Sequence, residues 1–362
     1  MRIAQVSPLY ESVPPKTYGG TERVVSWLTE ELVRRGHDVT LFASGDSMTS
    51  ARLVPGSKQA LRNDTACKDQ LAPHLAMVEQ VFRQKENFDL IHFHVDYLHF
   101  PASRRERVTS VTTLHGRLDM PELVPIYQLF RDIPTVSISD AQREPLPWIN
   151  WQGTVYHGMP PDRYSYSAGG GKYLAFLGRT SPEKGLDQAI EIAQRVDMPL
   201  KIAAKVDRAD VEYFERVIKS KLDHPLVEFL GEIGYPEKQE FLGNAAALLF
   251  PINWPEPFGI VMIEAMACGT PVIAYPYGSV PEVVDHGITG FVVPGVDGAV
   301  EALHNIESFD REHCRKRFEE RFTAERMTDD YLKVYQRLVT EPPAVSEGVL
   351  NWMKLTSPSS TT

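Results

Sequence analysis

Apolar residues fall into two alternating textures along the chain. Short, nearly unbroken apolar runs occupy residues 2–7, 39–43, 89–94, 108–114 and 134–138, and again 172–177, 199–204, 227–231, 246–250 and 290–293. Runs of that length without polar alternation predict strands covered on both faces, as in parallel sheets. Between them lie segments with helical spacing. Residues 22–35 are amphipathic and end at Gly36, and residues 69–83 carry Leu71, Leu75, Val78 and Phe82 on one face. Residues 235–242 and 296–338 also read as helical, with 324–338 the last long helix. Strands alternating with helices predict an α/β fold.

The composition shifts sharply at residues 160–171, PPDRYSYSAGGG, and this is the best domain boundary in the chain. It divides two Rossmann-like lobes, with the strand at 154–158 closing the first. A flexible linker there would let the lobes close over a substrate and exclude water. The first strand, the loop Tyr18-Gly19-Gly20-Thr21 and the following helix make a Rossmann-like opening without the full G-x-G-x-x-G fingerprint, which disfavours an ordinary dehydrogenase. The tail at 341–362 is rich in Pro, Ser and Thr and is expected to be poorly ordered.

At 362 residues the chain has room for two domains. It has no apolar stretch long enough to span a bilayer and no signal-peptide pattern, which predicts a cytoplasmic protein. Cys67, Cys268 and Cys314 fit neither a disulfide framework nor a metal-ligand spacing. The net charge of −10 argues against a nucleic-acid partner. Arg104, Arg105 and Arg107 could meet a membrane surface, but the interleaved Glu106 favours solvated charges. His92, His94 and His99 invite a metal reading; no Cys or carboxylate completes a recognisable ligand set, so hydrogen-bonded strand-end histidines are the expectation.

The chain is organised around residues 250–274, FPINWPEPFGIVMIEAMACGTPVIA. A strand leads into a Pro-broken turn, a short apolar helix beginning between Phe258 and Val261, and a new strand. Glu256 lies in the turn and Glu264 in the helix. Eight helical steps would separate them by about 12 Å, too far for a shared proton and suited to gripping two ends of an elongated ligand. The amides of Phe258, Gly259, Ile260 and Val261 form the helix N-terminus, which favours an anion. Upstream, Gly178-Arg179-Thr180-Ser181-Pro182-Glu183-Lys184-Gly185 follows the carboxyl end of a strand, so Arg179 and Lys184 can converge on one anion. The excess acid of the chain lies almost wholly after residue 160, so an anion bound there depends on such local donors.

Pro255-Glu256-Pro257-Phe258-Gly259, Glu264-Ala265-Met266-Ala267 and Gly269-Thr270-Pro271-Val272 together resemble the Glu-x7-Glu signature of retaining glycosyltransferases of family 4. The resemblance implies the GT-B fold, two facing Rossmann-like domains with an interdomain cleft. Residues 1–160 would bind the acceptor, with the helix at about 324–338 crossing back to them, and residues 161–323 would bind the nucleotide-sugar donor. It further implies that Arg179 and Lys184, in the loop opened by Gly178, bind the donor diphosphate. Ile233 would line the base pocket, Glu264 would take ribose hydroxyls and Glu256 sugar hydroxyls. His115 would touch the donor sugar near O6 and the scissile bond, and Gly19 and Gly20 would approach the donor phosphates or the acceptor.

The implied activity is metal-independent hexosyl transfer, with retention, from a UDP- or GDP-sugar to a hydroxyl acceptor in polysaccharide, glycolipid or small-glycoside biosynthesis. No cofactor beyond the co-substrate is implied, and no Asp-x-Asp motif signals an essential metal. The rivals are a nucleotide-sugar epimerase or phosphorylase on the same fold and a non-catalytic nucleotide-sugar-binding subunit. Arg179, Lys184, Glu256 and Glu264 together count against the last, since mere sensing needs no leaving-group stabilisation.

Overall fold

A strand apolar on every side must be covered on both faces, and the apolar runs form two wholly parallel sheets. The computed structural model describes residues 1–16 and 19–341; Tyr18 of the double-glycine loop, and the tail beyond Glu341, lie outside the described residues. The first sheet comprises β1 (Arg2–Val6), β2 (Asp38–Ser44), β3 (Arg52–Ser57), β4 (Leu90–Phe93), β5 (Ser110–Thr113), β6 (Thr135–Ser137) and β7 (Trp151–Thr154), in the order β3-β2-β1-β4-β5-β6-β7. The second comprises β8 (Leu174–Arg179), β9 (Leu200–Lys205), β10 (Val227–Gly231), β11 (Ala247–Phe250), β12 (Val272–Ala274) and β13 (Gly290–Val292), in the order β10-β9-β8-β11-β12-β13.

Each sheet reverses its strand order beside its first strand, at β1/β4 and at β8/β11. In open parallel sheets the crevice beyond the strands' carboxyl ends at that switch is the place for a ligand. Two elements depart from the sequence reading. β3 carries Pro55 and Gly56, residues that argue against a strand except at an edge, and it is the edge of the sheet. β7 spans Trp151–Thr154 rather than 154–158, because its last register pair with β6 is Ser137 with Thr154.

The two halves are clasped at several points. The last helix, Ala324–Thr340, lies against the first domain: Tyr335 bonds Gln5, Tyr331 bonds Thr113, and Arg35 bonds the Glu325 carbonyl. Glu282 of the second half accepts the backbone N–H groups of Asp140 and Ala141 at 2.8 and 2.7 Å and the Tyr156 hydroxyl at 3.0 Å. The stretch expected as a flexible linker is anchored along part of its length, with Tyr164 buried and Ser165 exchanging hydrogen bonds with Gln239. Arg104 stacks 4.3 Å from the Phe130 ring centroid and pairs with Asp132, while Glu106 pairs with Lys85, so the basic cluster is partly neutralised by its own neighbours. Cys268 and Cys314 are buried free thiols, each pushed up to about 12 by burial; Cys67 is free and partly exposed. No described helix is long and apolar enough to cross a membrane.

Candidate active site

The carboxyl ends of both sheets face one cleft of about 520 Å³ between the domains, and every site residue singled out from the sequence lines it. Gly19, Gly20 and His115 stand on the first-domain wall; Gly178, Arg179, Lys184, Ile233, Glu256, Phe258, Gly259, Ile260, Val261 and Glu264 stand on the second.

The signature helix spans Ile260–Ala267 and begins at Gly259, whose φ of 76° is the left-handed backbone a glycine adopts freely. A helix N-terminus leaves its first N–H groups without intrahelical acceptors, and the residues that carry them here, Phe258, Gly259, Ile260 and Val261, line the cleft. The turn before it is held from behind: Ser279 N–H donates to the Glu256 carbonyl at 2.9 Å, and the Ser279 hydroxyl to the Phe258 carbonyl at 2.8 Å.

Glu264 is only 3% exposed. Its carboxylate accepts the Tyr164 hydroxyl at 2.9 Å and Lys238 Nζ at 3.2 and 3.3 Å. Burial alone would raise its pKa, but Lys238 and Arg23, with the Tyr164 bond, outweigh burial and hold it below the ordinary carboxylate range. Glu264 therefore faces the cleft as an ionised acceptor.

Lys184 donates to Glu256, and its ammonium stands 4.8 Å from the Trp254 ring centroid. Gly185 follows with φ 68°, and a Cβ there would come within 2.1 Å of the Pro251 carbonyl oxygen. That close approach seats the Lys184 loop on the strand end that carries the Glu256 turn. Gly185→Ala is expected to destabilise the fold by about 2 kcal/mol and to lower kcat/KM by displacing Lys184; thermal denaturation and steady-state rates check it, and a wild-type Tm would sink it.

Arg179 ends β8. Its Nη2 donates to Glu183 at 2.6 Å and its Nε lies 3.1 Å from Asp210. The two carboxylates brace the guanidinium from behind, and part of their charge is set against it, so an anion meets a tempered positive field there. Burial tends to raise Glu183, but hydrogen bonds from its own backbone, Ser181 and Arg179 bring it below its ordinary value.

On the opposite wall, His115 follows β5, and burial pushes its imidazole down to about 3. It bonds His94, stacks 5.4 Å from His157, and its Nδ1 has no hydrogen-bond partner among the described residues. The other histidines weighed for metal are hydrogen-bonded: His92 to Tyr335 and Thr113, His94 to Gln5 and His115, His99 to Ser103 and Thr112. Among the described residues no group of three or more His, Cys, Asp or Glu is placed to hold a metal ion.

Several lining residues escaped the sequence reading of the site: Arg23, Lys205, Lys238 and His157, with Tyr164 and Trp254 behind the lining; His94, weighed only for metal, lines it too. The signal for Lys205 was available, since it is the last residue of β9 and strand ends face the cleft. The first-domain wall also carries Tyr10, Glu11, Glu22, Arg62 and Asp96.

Chemically, the cleft offers an anion seat beside a helix tip and two cations, flanked by carboxylates suited to hydroxyl groups. Two parallel Rossmann-like sheets with that cleft define the GT-B architecture. The family model for glycosyl transferases group 1 matches residues 163–321 and that for glycosyltransferase family 4 matches residues 18–148. The chain belongs to the family 4 glycosyltransferases of GT-B fold. It is 24% identical to O-antigen chain mannosyltransferase C of Escherichia coli, over 94% of this chain and 99% of that protein. It is 26% identical to phosphatidyl-myo-inositol mannosyltransferase of Mycobacterium leprae, over 88% of this chain and 90% of that one. Among solved structures, sucrose-phosphate synthase from Thermosynechococcus elongatus superposes with a TM-score of 0.78 at 20% identity, covering 94% of this chain and 99% of that one.

Proposed function

We propose that the protein transfers a hexosyl unit, with retention and without an essential metal, from a UDP- or GDP-sugar to a hydroxyl acceptor in the cytoplasm. One observation carries the reading: Arg179, Lys184 and the amide tip of the helix Ile260–Ala267 line the same cleft as the ionised Glu264. That grouping suits a nucleoside diphosphate, with ribose hydroxyls on Glu264 and the diphosphate on the cations and amides. Glu256, already bonded to Lys184, is placed to hold sugar hydroxyls.

In this reading the bond from the anomeric carbon to the diphosphate oxygen breaks and its electron pair leaves with the diphosphate. The acceptor oxygen attacks from the same face, and its proton passes to the departing phosphate oxygen. Fixed cations and amides stabilise the charge that develops on the leaving group, an electrostatic task that needs no reorganisation during the step. Glu256 serves as a ligand for hydroxyls rather than as the nucleophile of a double displacement.

A panel of UDP- and GDP-sugars, scored by thermal stabilisation and by donor hydrolysis, tests the donor. The anomeric configuration of the product, read by NMR, tests retention, and a covalent glycosyl adduct on Glu256 would refute this mechanism. Loss of all activity in chelator would overturn metal independence. Label recovered in an epimer or in a sugar phosphate would replace transfer by epimerisation or phosphorolysis. His115→Ala is expected to cut kcat about tenfold or more while donor affinity changes little, because the residue lies on the wall facing the diphosphate seat; a pure KM effect would place it away from the reacting carbon.

A further inference from the structure

Glu282 sits in the short helix Val280–Val283 of the second domain, yet all three groups that donate to its carboxylate belong to the first. Two are the successive backbone N–H groups of Asp140 and Ala141, at 2.8 and 2.7 Å, and the third is the Tyr156 hydroxyl at 3.0 Å. Hydrogen bonds to a carboxylate are stronger than those between neutral groups, and a pair of neighbouring N–H donors also fixes direction. Glu282 does not itself line the cleft, so whatever it does for a ligand passes through the residues it holds.

Both ends of this bracket continue to the walls of the site. On the first-domain side the gripped turn runs into Gln142, which is 5% exposed. Its side-chain amide donates to the Leu114 and Gly116 carbonyls at 2.9 and 2.8 Å, while its Oε1 accepts the Ile138 N–H at 2.9 Å. Those two carbonyls flank His115, so the turn and the His115 wall are one piece. On the second-domain side Ser279, just before the helix of Glu282, holds the Glu256 and Phe258 carbonyls. Gly278 has φ 55°, and a Cβ there would fall 2.4 Å from the Glu256 N and O atoms, so this backbone is pressed against the turn that leads to the helix tip. Phe258 packs beneath the bracket, its ring centroid 4.8 Å from that of His157 and 6.3 Å from that of Tyr156.

We propose that Glu282 is a positioning residue that sets the width of the cleft, holding the His115 wall at a fixed distance from the turn that carries Glu256 and the helix tip. Two domains of one chain move relative to each other by default unless a large apolar interface prevents it. A cleft held at its working width keeps the reacting groups of both walls in register and excludes water from the bond that breaks. Loosening the bracket lets the walls part, which slows transfer and lets water compete with the acceptor. The cleft-setting role stands on the hydrogen bonds; its effect on turnover rests on the glycosyl-transfer reading above.

Cleft width is read in the full chain by spin labels at Glu79→Cys and Glu212→Cys, whose native side chains are 64% and 79% exposed on the two domains, in a Cys67→Ser background. Adding Glu282→Gln, which leaves one acceptor oxygen for two backbone donors, should lengthen and broaden the distance distribution. The same variant should lower kcat for transfer about tenfold and raise the ratio of donor hydrolysis to transfer about threefold, with affinity for free UDP or GDP within about twofold. Affinity is spared because Arg179, Lys184 and Glu264 all stand on the second-domain wall. An unchanged distribution in folded Glu282→Gln overturns the proposal, and so does a widened cleft with wild-type kcat. A loss of nucleotide affinity as large as the loss of kcat also overturns it, since Glu282 would then support the donor seat alone. Tyr156→Phe removes one bond of the three and should move both readings the same way by less; if Glu282→Gln does not fold, wild-type values for Tyr156→Phe overturn the proposal. Distances that respond as expected in a protein that turns over no nucleotide sugar would refute the glycosyl-transfer reading and leave the cleft-setting role standing.

Discussion

Lys184→Ala is expected to lower kcat/KM by about two decades or more, which corresponds to about 2.7 kcal/mol or more of lost transition-state stabilisation. The ammonium has three hydrogens, and Glu256 engages one of them. The others are available to oxygens of a diphosphate lying between Lys184 and the tip of the signature helix. A charge-assisted contact to a leaving group grows stronger as the bond breaks, so its loss falls on turnover. A second cause must be separated from this one, because removing Lys184 also leaves Glu256 unpaired, and a bare carboxylate beside the seat would repel the donor. The double variant Lys184→Ala/Glu256→Gln separates them. If repulsion by Glu256 dominated, the double variant would return to the rate of Glu256→Gln alone. If Lys184 itself stabilises the departing charge, the double variant stays at least as slow as Lys184→Ala. A near-normal rate for Lys184→Ala would remove this residue from the site altogether.

The sequence made most of the strand framework legible because the central parallel strands of each sheet are buried on both faces and leave apolar runs. β3 left none: residues Arg52–Ser57 are half-exposed and contain Pro and Gly, and only the edge position makes a strand possible there. The residues of the site were legible where local chemistry announced them. Glu256 and Glu264 stood out as acids in an apolar stretch, and Arg179 and Lys184 as cations just past a strand end. What tertiary structure adds is the pairing. Nothing near Glu264 in the sequence points to Tyr164, a hundred residues upstream in what reads as a linker, or to Lys238. Of the two acids bracing Arg179, Glu183 lies in the same loop, but Asp210 was hidden, since it belongs to a short helical turn beyond β9 with no periodic signal. His92 and His94 were correctly read as hydrogen-bonded, but their partners Tyr335 and Gln5 come from opposite ends of the chain, a relation that no local pattern encodes.

Glu264→Ala is expected to weaken binding of the free nucleoside diphosphate about 100-fold, the equivalent of about 2.7 kcal/mol, with the anomer of the product unchanged. Two hydroxyls of a ribose can donate to one carboxylate, and hydrogen bonds to a charged acceptor are each worth about 1.5–3 kcal/mol. The same change has a structural cost, because Lys238 and Arg23 lose the charge that offsets their own, and stability should fall by about 3 kcal/mol. Glu264→Gln divides the two effects: it keeps the volume and an acceptor oxygen, so affinity should fall less than in the Ala variant while the ion pair is still lost. The pH dependence gives an independent sign. A carboxylate whose pKa is lower in the folded protein than in the unfolded chain contributes stability above the ordinary carboxylate range and loses it as pH falls through the lowered value. Acid unfolding of the wild type should therefore be steeper than that of Glu264→Gln, which lacks the titrating group. Calorimetry showing unchanged affinity of Glu264→Ala for both UDP and GDP would contradict the ribose role, even if the acid limb behaved as expected, because a buried ion pair alone accounts for the second result and not for the first.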